Sequence, residues 1–250
     1  MSSKPKESID SHKDHRKRLR QRFEKDGLAG FSDYEVIELL LTLSKEQVDC
    51  KPAGKQAIKQ FHSVRGVLDA PTRNLEQIHG IGRKSVFVIK LVRALAEYYY
   101  GERMHQDGSA LGNSQAVVDY LKVTMGALDR EAFRVVYLNA QHVPKTVEIL
   151  FEGTLTSSVV YPREVFRKAL DHNAASVILA HNHPSGSIEP SEHDRQITRD
   201  MILAAEFLGV GILDHIIIGA NSHFSFADHG LMREYRKQAM EFHESRRKQP

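Results

Sequence analysis

Ser176-Val177-Ile178-Leu179-Ala180-His181-Asn182-His183-Pro184-Ser185-Gly186-Ser187-Ile188-Glu189-Pro190-Ser191-Glu192-His193-Asp194 is the stretch that decides the fold. It opens with a short apolar run that reads as a strand. Pro184, Gly186 and Pro190 then punctuate a loop. From Ser191 a helix reads to about Leu208, where Gly209 stops it. A further strand follows over Val210–Gly219. His181 and His183 stand two residues apart on the strand, so they point to the same face. Asp194 falls in the first turn of the helix, and the loop can fold that turn back over the strand end. Two imidazoles and a carboxylate are a common catalytic zinc set, with a fourth position left for water. Zinc would lower that water's pKa from about 16 toward about 7. Ser191-x-x-Asp194 is also a capping-box-like start, which alone accounts for both residues.

Upstream of this segment the pattern stays mixed. Asn113 or Ser114 can cap a helix over Ala116–Met125. Phe133–Leu138 and Val147–Thr156 read as strands. Pro162 occupies a first helical position and opens Arg163–His172. The architecture is α/β (α+β) here, and it differs from the first hundred residues, which read as helix. There Ser32-Asp33-Tyr34-Glu35 is a capping box ahead of the apolar face from Val36 to Leu43. Further helices read over Pro52–Phe61, near Asn74–His79, and over Lys84–Tyr100. The domain reading is a flexible tail over 1–14, a helical domain over 15–104, a linker over 105–112, the strand-bearing domain over 113–236, and a C-terminal tail over 237–250.

Composition limits the classes. The chain has 250 residues, 41% of them hydrophobic, enough for a real core. No apolar run approaches the roughly 20 residues of a membrane span. The N-terminus lacks the apolar stretch of a secretory signal, and one cysteine, Cys50, excludes an internal disulfide framework. These features point to a soluble cytoplasmic protein in which Cys50 is a spectator. Net charge is +3, unevenly spread: residues 1–110 hold 20 basic against 15 acidic side chains. The basic excess peaks in Arg16-Lys17-Arg18-Leu19-Arg20-Gln21-Arg22, which suits either phosphates or a solvated basic face.

The string His181-x-His183-Pro184-x6-Ser191-x2-Asp194 resembles the JAMM motif of MPN+ metallopeptidases. The fuller strings HNHPSG, PSEHD, LDHIIIG and SFADHG resemble the RadC family (UPF0758 type) in particular. The resemblance implies a cytidine-deaminase-like JAMM/MPN domain over 113–236, after a helical domain with a helix-hairpin-helix. It implies one zinc ion per chain on His181, His183 and Asp194. It also implies that Ser191 donates a hydrogen bond to the oxyanion formed at an attacked peptide or isopeptide carbonyl. An upstream glutamate would take the proton from the water. Glu131 fits that place; Glu148 and Glu152 are the alternatives. Asn182 stands where many JAMM deubiquitinating enzymes have serine, which bears on substrate choice. Asp214 and His215 are either a ligand-orienting pair or a satisfied polar pair in the core. His193 reads as exposed, and His142, His172, His223 and His229 as surface.

Leu75-Glu76-Gln77-Ile78-His79-Gly80-Ile81-Gly82-Arg83-Lys84 resembles a helix-hairpin-helix. Two glycines permit a tight turn, and backbone N–H groups at the next helix start can receive a phosphate. Gly80, Gly82, Arg83 and Lys84 are therefore candidate contacts to non-specific DNA. The alternative is a hairpin kept for packing or for binding protein. Two functions follow: a zinc hydrolase acting on a peptide or protein, and a DNA-associated protein in repair or recombination. A structural zinc site is usually closed by four protein ligands, and only three are found here.

Overall fold

The apolar spacing of Ile37 and Leu41 behind the Ser32 box makes a helix and gives it an inner face. In this computed structural model, residues 6–45, 48–106, 110–153, 160–220 and 222–247 are described. The chain divides into two compact units, Met1–Ala96 and Glu97–Pro250. The first contains α1 (Lys6–Asp26), α2 (Asp33–Leu41), α3 (Lys51–Phe61), α4 (Val64–Asp69) and α5 (Thr72–Glu76). α6 (Arg83–Gln106) begins in it and runs past the boundary. Ile37, Leu41, Ala57, Val67, Leu75 and Ile89 meet in its core. Buried there too is Cys50, whose thiol burial pushes up.

The Ser32 capping box is formed: the Ser32 N–H and hydroxyl both donate to Glu35 Oε2, at 3.0 and 2.9 Å. Arg22 donates to the other oxygen at 2.9 Å, and this bond leads the causes that hold the Glu35 carboxyl down at about 2.

The stretch expected as a flexible tail, 1–14, is corrected by α1, which starts at Lys6; residues 1–5 lie outside the described residues. This helix is mostly polar, so no apolar period marks it. Among its described side chains Leu19 is the buried one. Polar contacts hold its later turns: His15 Nε2 lies 2.8 Å from Glu38 Oε1, and Arg16 donates to the Lys45 and Val48 carbonyls. Two arginines of the basic run are therefore used inside the fold.

The second unit adds α7 (Ala110–Met125), β1 (Glu131–Leu138), β2 (Pro144–Gly153), α8 (Pro162–Asp171) and β3 (Ser176–Asn182). Then come α9 (Glu192–Leu208), β4 (Gly211–Ile218), β5 (His223–Ser225) and α10 (Leu231–Arg247). The expected linker 105–112 is helical on both sides of residues 107–109, which lie outside the described residues. Of the expected C-terminal tail, 237–247 form the later part of α10, where Ala239 is buried, and 248–250 lie outside the described residues. Its charged sequence hid a narrow apolar stripe. β2 starts three residues earlier than its apolar run suggested, and 154–156 of that reading fall outside the described residues.

The sheet order is β2-β1-β3-β4-β5. Among the described strands only the β3–β4 pair is parallel. Both faces are covered, which is why β1 and β3 are apolar without strict alternation. Phe133, Val135, Tyr137, Val177 and Leu179 pack with α8, α9 and α10. Val136, Leu138, Ile178 and Ala180 pack with α7 on the opposite face. The α+β expectation holds. Because β3 leads through α9 to its parallel neighbour β4, the end of β3 meets the start of α9 beside the sheet edge where α/β sites form. No described helix is long and apolar enough to cross a membrane.

Gly54 marks the closest approach of α2 and α3. A Cβ there would sit 2.8 Å from the Tyr34 carbonyl oxygen and 3.2 Å from the Glu38 nitrogen, both backbone atoms. Gly54→Ala should destabilise the first unit by about 1–3 kcal/mol, the usual cost of overpacking. Urea unfolding checks it; an unchanged midpoint would refute the close approach.

Candidate metal centre

The alternation of β3 decides which way its histidines face. Val177, Leu179 and His181 share the side toward α9, and His183 follows two residues on. α9 begins at Glu192 with Ser191 as N-cap, so Asp194 is its third residue. Ser191 Oγ accepts from the Asp194 N–H at 3.2 Å. In return Asp194 Oδ2 accepts from the Ser191 N–H at 2.8 Å and from its hydroxyl at 2.6 Å. The capping box and the cluster are thus the same residues.

The three side chains converge. His181 Nε2 and His183 Nε2 are 3.0 Å apart, and His181 Nε2 is 3.1 Å from Asp194 Oδ1. His183 Nε2 is 3.5 Å from Asp194 Oδ2. These separations bracket ~3.3 Å, the tetrahedral edge for metal–ligand bonds of about 2.0–2.1 Å. The His183 Nδ1–H donates to the Ser187 carbonyl at 2.9 Å, which leaves Nε2 as the free lone pair of the neutral ring. The donor set therefore fits a divalent ion. Among the described residues this is the one such group of three or more, and no fourth His, Cys, Asp or Glu joins it.

Charge is concentrated here. Asp194 is 3% exposed. Burial alone would raise its carboxyl, but the close His181 and His183 rings and the hydrogen bonds from Ser191 outweigh burial and hold it far below the usual range. The Asp194 carboxylate in turn raises His183.

An open cleft reaches the cluster. Glu131, at the start of β1, lines it with Asp129, Arg130, Gly153, Pro184, Ser185 and the exposed His193, beside His183, Ser191 and Asp194. The other two glutamates considered do not line it. Glu148 lies 2.5 Å from His172 Nε2 and 3.0 Å from Lys168 Nζ; burial pulls it up, and these partners bring it below its usual value. Glu152 is exposed on β2.

Two further residues take shape only in the structure. Asn182, between the histidines, points to the α7 side of the sheet. Its Oδ1 accepts from the Ala132 N–H at 2.8 Å, and its Nδ2 donates to the Arg130 and Leu128 carbonyls at 3.0 and 3.4 Å. It clamps the peptide on either side of Glu131. The fifty-residue separation carried no sequence signal. The Asp214–His215 pair splits: His215 faces the cluster, whereas Asp214 accepts from Ser225 Oγ and from the N–H groups of Ala227 and His215. The hairpin residues belong to the first unit. Gly80 has φ +93° and makes the turn; Gly82 needs no such φ. Arg83 and Lys84 are exposed at the start of α6.

A His-His-Asp cluster that could hold a metal stands at a strand–helix junction of a covered mixed sheet, within a JAB-type domain. Residues 111–231 match the family model of the RadC-like JAB domain. A UPF0758 protein of Fusobacterium nucleatum subsp. nucleatum is 36% identical over 224 residues, spanning 87% of this chain and 97% of that protein. The chain belongs to the RadC (UPF0758) family.

Burial raises the Asp214 carboxyl to about 6. The folded chain thus keeps a proton that the unfolded chain loses near pH 4. Asp214 contributes this stability below about pH 4 and loses it as pH rises through about 6. Asn carries no charge; its Oδ1 can keep the two N–H bonds, and its Nδ2 can donate to Ser225 Oγ in the reverse sense. Asp214→Asn should therefore gain on the parent between about pH 4.5 and about pH 7.5, by on the order of 2–3 kcal/mol. Urea unfolding of both metal-free proteins at the two pH values measures this; parallel stability curves would refute it.

Proposed function

We propose that this chain is a zinc-dependent hydrolase of the JAMM type, metallopeptidase-like, that cleaves a peptide or isopeptide bond. One observation carries the reading: a cluster of three possible ligands, with no fourth among the described residues, opens through His183 and Asp194 onto a cleft that Glu131 also lines. His181, His183 and Asp194 would hold zinc, which when bound would supply Lewis acidity to a water and a carbonyl. The Glu131 carboxylate would accept a proton from the attacking water and return it to the leaving amine, as a general base and then acid. Asn182 keeps the Glu131 backbone fixed while this happens. Ser191 presents its hydroxyl at the cleft. Turning that proton from Asp194 Oδ2 to a developing oxyanion lets Ser191 stabilise it.

Purified protein should hold about one zinc per chain. His181→Ala and Asp194→Ala should lose it. Glu131→Gln should keep the zinc and lose about 10²–10⁴-fold in peptide cleavage. Metal analysis beside a peptide-library cleavage screen reads both. Equal trace metal in parent and ligand variants, or full activity in Glu131→Gln, would overturn the assignment.

A second reading concerns the first unit alone: non-specific DNA contact at the hairpin. The positive φ of Gly80 and the exposed Arg83 and Lys84 at a helix start favour it. Lys45 Nζ adds a third charge there, bonded to the Gly80 carbonyl. Binding of fluorescent duplex DNA should weaken with salt and fall when Arg83 and Lys84 become alanine. Absence of binding at low salt would end this reading.

A further inference from the structure

Behind the cluster lies a chain of hydrogen bonds with one permissible direction. His181 Nδ1 is 2.9 Å from His215 Nε2, His215 Nδ1 is 2.7 Å from Thr198 Oγ1, and Thr198 Oγ1 is 2.6 Å from the backbone oxygen of Asp194. All three side chains are buried, and His215 and Thr198 are fully so. The direction follows from the last link. A carbonyl oxygen only accepts, so the Thr198 hydroxyl spends its one proton on Asp194. Thr198 Oγ1 must then accept from His215 Nδ1–H. A neutral imidazole with Nδ1 protonated has Nε2 as its acceptor, so His181 Nδ1–H donates to it. The lone pair of His181 is left on Nε2, the atom that faces His183 and Asp194.

We infer that His215 and Thr198 are positioning residues that lock His181 in the tautomer able to bind a metal. The inference rests on the metal-centre reading but concerns the metal-free protein as well. Sequence geometry makes the device economical. Thr198 lies four residues after Asp194, one helical turn along α9. A single turn thus carries one ligand and the anchor that sets the other. The rings cannot tip out of line, because Phe133 stacks on His181 and Phe226 on His215. Among the described residues His181 and Thr198 are the hydrogen-bond partners of His215's two ring nitrogens.

Thr198→Val keeps the shape and removes the hydroxyl; Thr198→Ser keeps the hydroxyl. His215 in the valine variant has no acceptor at Nδ1, and its proton can move to Nε2. His181 Nδ1 then becomes the acceptor, and its Nε2 carries the blocking proton. The test uses ¹⁵N-labelled full-length chain freed of metal, with long-range ¹H–¹⁵N histidine spectra and His181 assigned through His181→Gln. The parent and Thr198→Ser should show His181 protonated at Nδ1. Thr198→Val should show Nε2 protonation or a mixture. Its zinc affinity, measured against a chromogenic chelator, should fall about 10-fold or more, the cost usual for an outer partner of a metal ligand. A parent His181 protonated at Nε2 overturns the inference without any variant. So does a valine variant with parental tautomer and affinity, or equal losses in valine and serine variants, which would mean packing alone. If His181 follows Thr198 as described while no form binds zinc, the relay stands and the proposed hydrolase fails.

Discussion

A carboxylate buried without partners costs several kcal/mol, and the site is built around avoiding that cost for Asp194. Its Oδ2 is taken by the N-cap N–H and hydroxyl of Ser191, and its Oδ1 faces His181. The positive end of α9 adds a favourable field for the charge. None of this survives unless the end of β3 and the start of α9 lie side by side. The parallel β3–α9–β4 connection enforces that neighbourhood, since the helix must return along the sheet to reach β4.

Capping and membership of the cluster therefore are not rival explanations of Ser191 and Asp194. The same two residues start the helix and complete the cluster. An N-cap is among the better-defined points of a helix, so the carboxylate beside it inherits that definition. The arrangement also constrains the proposed chemistry. The hydroxyl of Ser191 holds Asp194 Oδ2, so any oxyanion contact competes with a bond that keeps the ligand in place.

Much of this was legible because it is local. The two-residue spacing of His181 and His183, the Ser-x-x-Asp and Ser-x-x-Glu boxes, and the Gly209 stop each depend on residues within a turn or a strand pair. Gly209 indeed takes the left-handed conformation, φ +65°. What was not legible is held by contacts across long stretches of chain. α1 is fastened by Arg22 to Glu35 and by His15 to Glu38, partners 13 and 23 residues away, with one buried leucine to betray it. α4 is six residues long and depends on Ser63 accepting from Gly66, too short for a period to show. Asn182 read as a departure that bears on substrate choice, yet it clamps the start of the strand that carries Glu131. The LDH string suggested one pair with one role, whereas successive strand residues face opposite sides and serve two.

The two histidines are not equivalent, and the difference has a consequence for the cleft. His181 is sealed, with its Nδ1 side held by a helix-anchored relay. His183 is 14% exposed, and its Nδ1 proton goes to the Ser187 carbonyl in the loop. That loop must lie close to the end of β4. Gly186 turns at φ +81°, and a Cβ on Gly219 would meet the Gly186 oxygen at 2.7 Å and an Ile188 methyl at 2.8 Å. Bulk at Gly219 would push the loop, and the loop would carry Ser187 away from His183. The core thus fixes one histidine of the cluster and the loop fixes the other. Change in the loop reaches the open, cleft-facing side of the cluster while leaving its buried side in place.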